Sequence, residues 1–540
     1  MKKINRVVLS TFAPDQSKSS QLALYNLKAY YEKHRAPGKA YFDPAINVFS
    51  REMLPGAAAE KILSKKPKVI GFSCYVWNIE KTLGIARIIK KTDPKIIIVC
   101  GGPEVSPRAQ ELLQGNPGLD FIVRGEGEES FSELLDALAA GIRDFRLIRG
   151  ISFRFRGKVI SNPGRRLIPE LDTLPSVYAD SQLDPDHFDK IHFESSRGCP
   201  FKCHYCYDHK NYGRLRYFSL ERISSELKYI LHKKPREVYF IDSTFNADPE
   251  RAKRVLRSFI KYNQGTLLHL ELRAELLDKQ LIRMLKRANA RLVEIGMQSM
   301  DPRILRSSNR SFSKRAFFKN LRELSRQGIE FQVDLMAGLP GQAYADVKKS
   351  LDWIWQFQPK SIQIFPLMVL PGTYFRQNAE RLGLVYEKKP PYILLGTRNL
   401  SAKGLQKVFL LQFALVMFLE MGIFKNTARR MQEKLRLDLS KLLEEWLKRQ
   451  KRSIPEIMRL CSFRGGAQLR LPMDPFIEDA PDFVKYLGKK YNRPRLYSEL
   501  YPFLKDDLAA VIFEKYALGQ RLWYNRKKAL YAKDKNGSKN

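Results

Sequence analysis

What most limits the fold of this chain is a rhythm of short apolar runs, each ending in glycine or polar residues and answered by a stretch of helical spacing. The first runs are Val7-Val8-Leu9, Val69-Ile70-Gly71-Phe72, Lys95–Cys100 and Phe121-Ile122-Val123. Leu22–Tyr31, Glu80–Lys91 and Ser130–Ala140 carry apolar residues at helical spacing among them. Short unalternated apolar runs read as strands buried on both faces. Strands that alternate with helices read as a parallel sheet wound on both sides, with ligands at the carboxyl ends of its strands.

The chain is thus predicted to be α/β, opening with a doubly wound, Rossmann-like parallel sheet. From Ile191 the rhythm resumes with His192–Ser195, Glu237–Ile241, Leu267–Leu272, Arg291–Gly296, Glu330–Leu335 and Ser361–Phe365. Six such strands with helices between them predict a partial (β/α)6, TIM-like barrel. The intervening Arg146–Pro175 is rich in Pro, Gly and Arg, contains a hairpin pattern at Gly150–Ile160, and reads as a connector. After about Pro391 the pattern becomes helical, in Gly404–Ile423, Thr427–Gln450 and Pro481–Leu487, which predicts a mostly helical third domain. The expected division is 1–145, 146–185, 186–390 and 391–540, with Lys533–Asn540 a polar, frayed end.

Bulk properties exclude several classes. With 44% hydrophobic and 28% charged residues, the chain is globular rather than disordered. Gln412 and Glu420 interrupt the apolar stretch Val408–Phe424, so it reads as a buried helix and no transmembrane segment is expected. The opening MKKINRVVLS is too short in apolar residues for a signal-peptide core. Six cysteines in 540 residues make no disulfide scaffold, and a reducing cytoplasm is expected. A net charge of +38 raises the question of nucleic acid. Its basic residues are scattered, as at Lys2-Lys3, Lys65–Lys68 and Arg521–Lys528, with no aromatic-and-basic stripe, so a nucleic-acid partner is not favoured.

Half of the cysteines sit in one loop, Ser195-Ser-Arg-Gly-Cys-Pro-Phe-Lys-Cys-His-Tyr-Cys206, just after a predicted strand. Soft thiolates at C-x3-C-x2-C spacing can each take one iron of a 4Fe–4S cubane, so Cys199, Cys203 and Cys206 are the candidate metal ligands. Three ligands for four irons leave one iron open to a small molecule that chelates through an amino and a carboxylate group. The other reading of these residues is a structural zinc site completed by His204 or His209, although zinc ligands more often come from two separated knuckles.

Cys-Pro-Phe-Lys-Cys-His-Tyr-Cys resembles the signature of radical S-adenosylmethionine (SAM) enzymes, with Tyr205 in the aromatic position that lies near the adenine of SAM. The resemblance implies reductive cleavage of SAM to methionine and a 5′-deoxyadenosyl radical, with an electron donor such as flavodoxin or ferredoxin. It also implies SAM contacts at the ends of the following strands. Asp242 and Ser243 lie in Phe240-Ile-Asp-Ser-Thr-Phe245, Arg273 ends Glu271-Leu-Arg273, and Glu294 and Gln298 lie in Glu294-Ile-Gly-Met-Gln-Ser299. Asp334-Leu-Met-Ala-Gly-Leu-Pro-Gly341 resembles the family's glycine-containing fifth strand. Charged residues at strand ends also serve simply to cap helices or pair with neighbours.

Residues 1 to about 145 resemble the cobalamin-binding domain that precedes the radical SAM barrel in a large subfamily. The likeness rests on Val99-Cys-Gly-Gly-Pro-Glu104 and Val123-Arg-Gly-Glu-Gly-Glu-Glu-Ser-Phe131, which make Gly101, Gly102, Gly125 and Glu126 candidate cobalamin contacts. Ser10–Ser17 holds no histidine, so ligation of cobalt from that loop by Asp-x-His-x-x-Gly is excluded. Cys74 and Cys100 read as core residues, Cys461 is isolated, and the helical end resembles an uncharacterised extension of a bacterial subset.

The resemblance implies an enzyme with a 4Fe–4S cluster, SAM and cobalamin, most simply a methyltransferase acting on an unactivated carbon of a small-molecule or peptide substrate. Cyclisation or rearrangement without methyl transfer is the second reading. An RNA-modifying methylthiotransferase is a third, weakened because only Cys74 and Cys100 are at hand for a second cluster. A zinc-stabilised nucleic-acid-binding module is the non-enzymatic alternative.

Overall fold

The computed structural model describes residues 4–13, 19–35, 40–179, 182–208, 213–450 and 474–511. His209 and Cys461, the frayed end and the Arg521–Lys528 run lie outside them, as does most of the loop after the first strand. The chain forms two compact units, the first built on residues up to Ala343 with Phe365–Ala402, the second on Tyr344–Ile364 with the helices from Lys403 onward.

Two sheets carry the strands that matter for the site. One has seven strands: β1 Ile4–Phe12, β2 Tyr41–Phe49, β3 Val69–Ser73, β4 Ile97–Gly101, β5 Phe121–Val123, β6 Ile151–Phe155 and β7 Lys158–Ser161, in the order β2-β1-β3-β4-β5-β6-β7. The first five are parallel, and their order reverses between β1 and β3, the switch point at which such sheets open a crevice. Consecutive residues of each strand serve opposite cores. Val8, Ile70, Ile98 and Ile122 pack with Ile62, Ile85 and Leu112 on one face. Val7, Val69, Val99 and Phe121 pack with Leu24, Tyr31 and Leu134 on the other. Each buried aliphatic side chain contributes roughly 1.5–3 kcal/mol, which explains why these strands read as unbroken apolar runs.

Two features of this sheet differ from the sequence reading. Strand β2 escapes it because Asp43, Pro44 and Asn47 break the apolar run, and an edge strand tolerates the proline. The Gly150–Ile160 hairpin is more than a connector: as β6 and β7 it pairs antiparallel with β5 and extends the sheet.

The second sheet holds β8 Lys190–Phe193, β11 Glu237–Phe240, β12 Leu267–Leu272, β13 Ala290–Gln298, β14 Phe331–Ala337 and β15 Ser361–Pro366, in the order β15-β14-β13-β12-β11-β8. Between β8 and β11, a two-residue pair, β9 Ser196–Arg197 and β10 Arg216–Tyr217, flanks the cysteine loop. The partial barrel expected from the sequence is present, and β8 and β11 to β14 are parallel. Here the strands alternate: Phe331, Val333 and Leu335 are fully buried, while Gln332 and Asp334 between them line the other face.

The second unit is mostly helical, as expected. Ala402–Leu415 runs on into a π-turn, Val416–Glu420. The single helix read over Thr427–Gln450 is two, Thr427–Leu435 and Leu439–Arg449, because Arg436 turns left-handed (φ 51°). Asp507 accepts hydrogen bonds from Thr427 N (2.9 Å) and Oγ1 (2.6 Å), capping the first of them. Trp446 packs against Phe413, Phe418 and Phe476 in the core. Ala402–Glu420 is long and apolar enough to cross a membrane by length and composition, yet half of that stretch is buried, Leu411, Phe413 and Phe418 included.

Candidate active site

The cysteine loop leaves β8 and is fastened from beneath. The carboxylate of Asp242 accepts four hydrogen bonds, from Ser195 N (2.9 Å), Ser195 Oγ (2.6 Å), Ser196 N (2.7 Å) and Ser196 Oγ (3.0 Å). Burial raises its pKa against those donors. Next, Gly198 takes a positive φ of 93° and turns the chain into Cys199. Cys199 and Cys203 are buried and Cys206 is partly so, and the three sulfurs act electrostatically on one another. Burial pushes the Cys199 and Cys206 thiols up. Thiols in such a place need a metal's positive charge to persist as thiolates, which fits an iron cluster. Among the described residues, no three His, Cys, Asp or Glu side chains converge on one point as the donors of a single metal ion would. His204 packs into the fold, its ring stacked on Tyr374 (4.0 Å) and its Nδ1 3.0 Å from the Ser307 carbonyl.

The other residues singled out for SAM surround this loop with distinct attachments. Tyr205 is partly buried, with its ring 6.4 Å from Phe375. Ser243 Oγ donates to Asp208 (2.9 Å). Arg273 lies over the Phe201 ring (3.9 Å), and its Nε donates to Glu275 (2.6 Å). Glu294 shares His269 with Glu237, at 2.8 and 3.2 Å. Gln298 sits at a register shift in β13 with a positive φ of 68°. Asp242 and Arg273 are thus engaged by the protein itself.

Two orphaned atoms lie in the same region: Glu275 Oε2 and Arg310 Nε are buried without a partner, an unused acceptor and an unused donor. Buried polar atoms are rarely left so. A ligand bearing both an ammonium and a carboxylate, as SAM does, has the groups to satisfy them.

Several residues that the sequence reading passed over line the polar face of the barrel. Tyr239 stacks on His269 (4.1 Å) and its hydroxyl donates to Glu271 (2.6 Å). Burial, reinforced by neighbouring carboxylates such as Glu294, pushes Glu271 and Asp334 up to about 7. Burial works against a charge on His269, but its bonds to Glu237 and Glu294 outweigh it and raise its pKa. The available signal was the every-other-residue polarity of His269-Leu-Glu271-Leu-Arg273 and Gln332-Val-Asp334.

At the carboxyl ends of β1, β3, β4 and β5 lies a cavity of about 330 Å³. Gly101, Gly102, Gly125 and Glu126 all line it, as do Tyr75 and Trp77, whose rings stack at 4.4 Å. Gly102 (φ 109°) is required by packing, since a Cβ there would stand 2.6 Å from the Cys74 carbonyl. Gly125 (φ 77°) faces open space, with no atom within 4 Å of where a Cβ would be. A glycine floor under an aromatic and apolar wall fits a broad, flat ligand such as a corrin.

Residues at the strand ends of the second sheet line it too: His192, Glu194, Arg197 and Ile241. Arg197 binds Glu126 (3.1 Å), Glu128 (2.7 Å) and Glu194 (3.0 Å), and Arg216 adds a second guanidinium to Glu126 (2.9 Å). Burial alone would raise Glu126, yet Arg216 and Arg197 bring it below the ordinary glutamate value. Its carboxylate also accepts from Ile168 N (2.8 Å), so Glu126 faces the cavity with both oxygens engaged.

These observations agree with likenesses to known proteins. The Radical SAM superfamily profile matches residues 193–354, and the B12 binding domain profile matches residues 49–135. An uncharacterized methyltransferase of Pyrococcus horikoshii is 27% identical over 321 residues, 58% of this chain and 70% of that protein. The cobalamin-dependent radical SAM methyltransferase TokK of Streptomyces tokunonensis is 24% identical, over 61% of this chain and 51% of its own length. The match thus spans only about half of TokK. In fold, the cobalamin-dependent SAM radical enzyme OxsB with aqua-cobalamin bound aligns with 95% of this chain and 84% of its own, at a TM-score of 0.62 and 15% identity. The chain thus carries a B12-binding domain followed by a radical SAM domain that holds the cysteine loop, the domain order of the radical SAM proteins with a cobalamin-binding domain.

Proposed function

We propose that this radical SAM enzyme is a cobalamin-dependent methyltransferase that methylates an unactivated carbon of a small-molecule or peptide substrate. The observation that carries the reading is the shared cavity, lined on one side by the glycine-bearing strand ends of the first sheet and on the other by His192, Glu194, Arg197 and Ile241. The cysteines and the proposed SAM contacts do not line that cavity, but Arg197, two residues before Cys199, does, which sets a cobalamin bound there beside the root of the cluster loop.

When bound, a reduced 4Fe–4S cluster supplies the electron that cleaves SAM, and cobalamin carries the methyl group. The chain's own work is to hold and orient. Cys199, Cys203 and Cys206 are the cluster ligands in this reading, and Asp242 acts through Ser195 and Ser196 by fixing the loop that bears them. Tyr205, Ser243, Glu294 and Gln298 are the proposed SAM contacts. Arg273 orients Glu275, whose second oxygen is left without a partner in the protein. Gly101, Gly102 and Gly125 form the cobalamin floor, while Glu126 serves it by anchoring Arg197 and Arg216. In this reading the domains run 1–145, 146–185, 186–390 and 391–540, and the enzyme works in a cytoplasm with a flavodoxin or ferredoxin as electron donor.

The test is transfer of label. Protein reconstituted without oxygen and supplied with cobalamin and methyl-labelled SAM should pass the label to its bound corrinoid and release S-adenosylhomocysteine. Cleavage of SAM to 5′-deoxyadenosine with no methylated corrinoid at any stage would favour cyclisation or rearrangement instead.

A further inference from the structure

We propose that Arg310 is the counter-ion of the iron–sulfur cluster and sets its reduction potential through Cys203. The inference rests on the reading that Cys199, Cys203 and Cys206 hold a 4Fe–4S cluster.

Arg310 follows the short helix Pro302–Ser307 and is 9% exposed. Its guanidinium has three outlets. Nη1 lies 3.9 Å from Cys203 Sγ, Nη2 donates to the Gly296 carbonyl, and Nε has no partner. Three other guanidiniums buried in this unit meet carboxylates: Arg197 meets Glu126, Glu128 and Glu194, Arg216 meets Glu126, and Arg273 meets Glu275, while Arg251 is held by the Ser195 and Phe218 carbonyls and the Tyr217 ring. Arg310 forms no ion pair among the described residues, and the nearby Glu275 is already bound by Arg273. A buried guanidinium without a counter-charge is costly, and such groups persist where an anion stands beside them. Here the group beside it is a sulfur that, in a cluster, is a thiolate.

A cubane held by three thiolates is anionic, and one-electron reduction makes it more so by one unit. Hydrogen bonds to the sulfurs and nearby positive charge stabilise the reduced form more than the oxidised one, and so raise the potential. The tie from Nη2 to Gly296, on β13, fixes the plane of the guanidinium so that Nη1 stays on Cys203. Arg310 is therefore a positioning residue for the electron transfer that starts the reaction.

The experiment is an EPR-monitored redox titration of the full chain, reconstituted without oxygen and measured without SAM, for the wild type, Arg310→Gln and Arg310→Lys. At a fixed potential the reduced fraction of Arg310→Gln should fall at least tenfold relative to the oxidised one. For a one-electron couple that is a midpoint about 59 mV lower. Arg310→Lys should fall by less, because it keeps the charge and loses the fork. A second measurement needs no variant to load: wild-type protein grown on guanidino-15N arginine should show a 15N coupling in the ENDOR spectrum of the reduced cluster. An unchanged midpoint in a cluster-bearing Arg310→Gln, or the absence of that coupling, overturns the proposal. So does a variant that changes only the SAM dissociation constant. A wild type that takes up no cluster refutes the ligand assignment itself.

Discussion

Arg197 Nη2 lies 2.7 Å from Glu128 Oε1, and this bond joins the residue two places before Cys199 to the first turn of the helix that follows β5. The same guanidinium holds Glu126 and Glu194, so the wall of the cobalamin domain and the root of the cysteine loop are one charged assembly.

Replacing Arg197 with methionine leaves two buried carboxylates, Glu126 and Glu128, and the half-buried Glu194 with Arg216 alone to answer them. Breaking a buried ion pair from one side costs about 3–5 kcal/mol. A fall of that order is expected in the unfolding free energy from denaturant titration. A variant as stable as the wild type would show that the network does not couple the two sheets.

Asp242→Ala removes an acceptor that takes four hydrogen bonds from Ser195 and Ser196. Bonds to a charged acceptor are worth about 1.5–3 kcal/mol each, and only some of these donors can find water. The expected outcome is a folded protein whose iron content after anaerobic reconstitution is several-fold lower. Full iron loading would mean that the loop holds its shape without this anchor.

Gly125→Leu puts a side chain where no atom lies within 4 Å and where φ is 77°. The backbone strain costs roughly 1–2 kcal/mol, so the fold should survive. Corrinoid retained through purification, read from its visible absorbance, should drop at least tenfold. Undiminished retention would place the cobalamin elsewhere.

Glu271 and Asp334, raised to about 7 by burial, give a pH dependence of defined sign. Their folded values lie above the ordinary carboxyl values of 4.5 and 3.8, so the folded state binds more protons between about pH 4 and 7. Their contribution to stability is full below pH 4 and lost as pH rises through 7. The double variant Glu271→Gln, Asp334→Asn should therefore gain on the wild type by a few kcal/mol as pH climbs across that window. A difference between the two proteins that is flat with pH would contradict the assignment.

The architecture was legible in the sequence where burial leaves a simple pattern. Strands β3 and β4 are covered on both faces and read as plain apolar runs. Edge strand β2 was not legible, because an edge can carry Asp43 and Pro44. At the site, the cysteine loop announced itself by spacing alone. The fastening of Asp242, Arg273 and Glu126 did not, because a charged residue at a strand end looks the same whether it faces a ligand or a neighbour. Arg310 carried no signal: its meaning depends on the fold bringing it to Cys203, 107 positions away. The alternating Tyr239, His269 and Glu271 could have been read as a polar barrel lining, since period-two polarity survives in parallel strands only where one face is open.

The most direct test of the account is the visible absorbance spectrum of the protein, purified without oxygen from cobalamin-supplemented cells and reconstituted with iron and sulfide. The expected spectrum carries the broad iron–sulfur charge-transfer band together with corrinoid bands, in a ratio near one cluster to one corrinoid per chain. A spectrum with neither, from folded protein, would contradict the central claim that this one chain seats both cofactors.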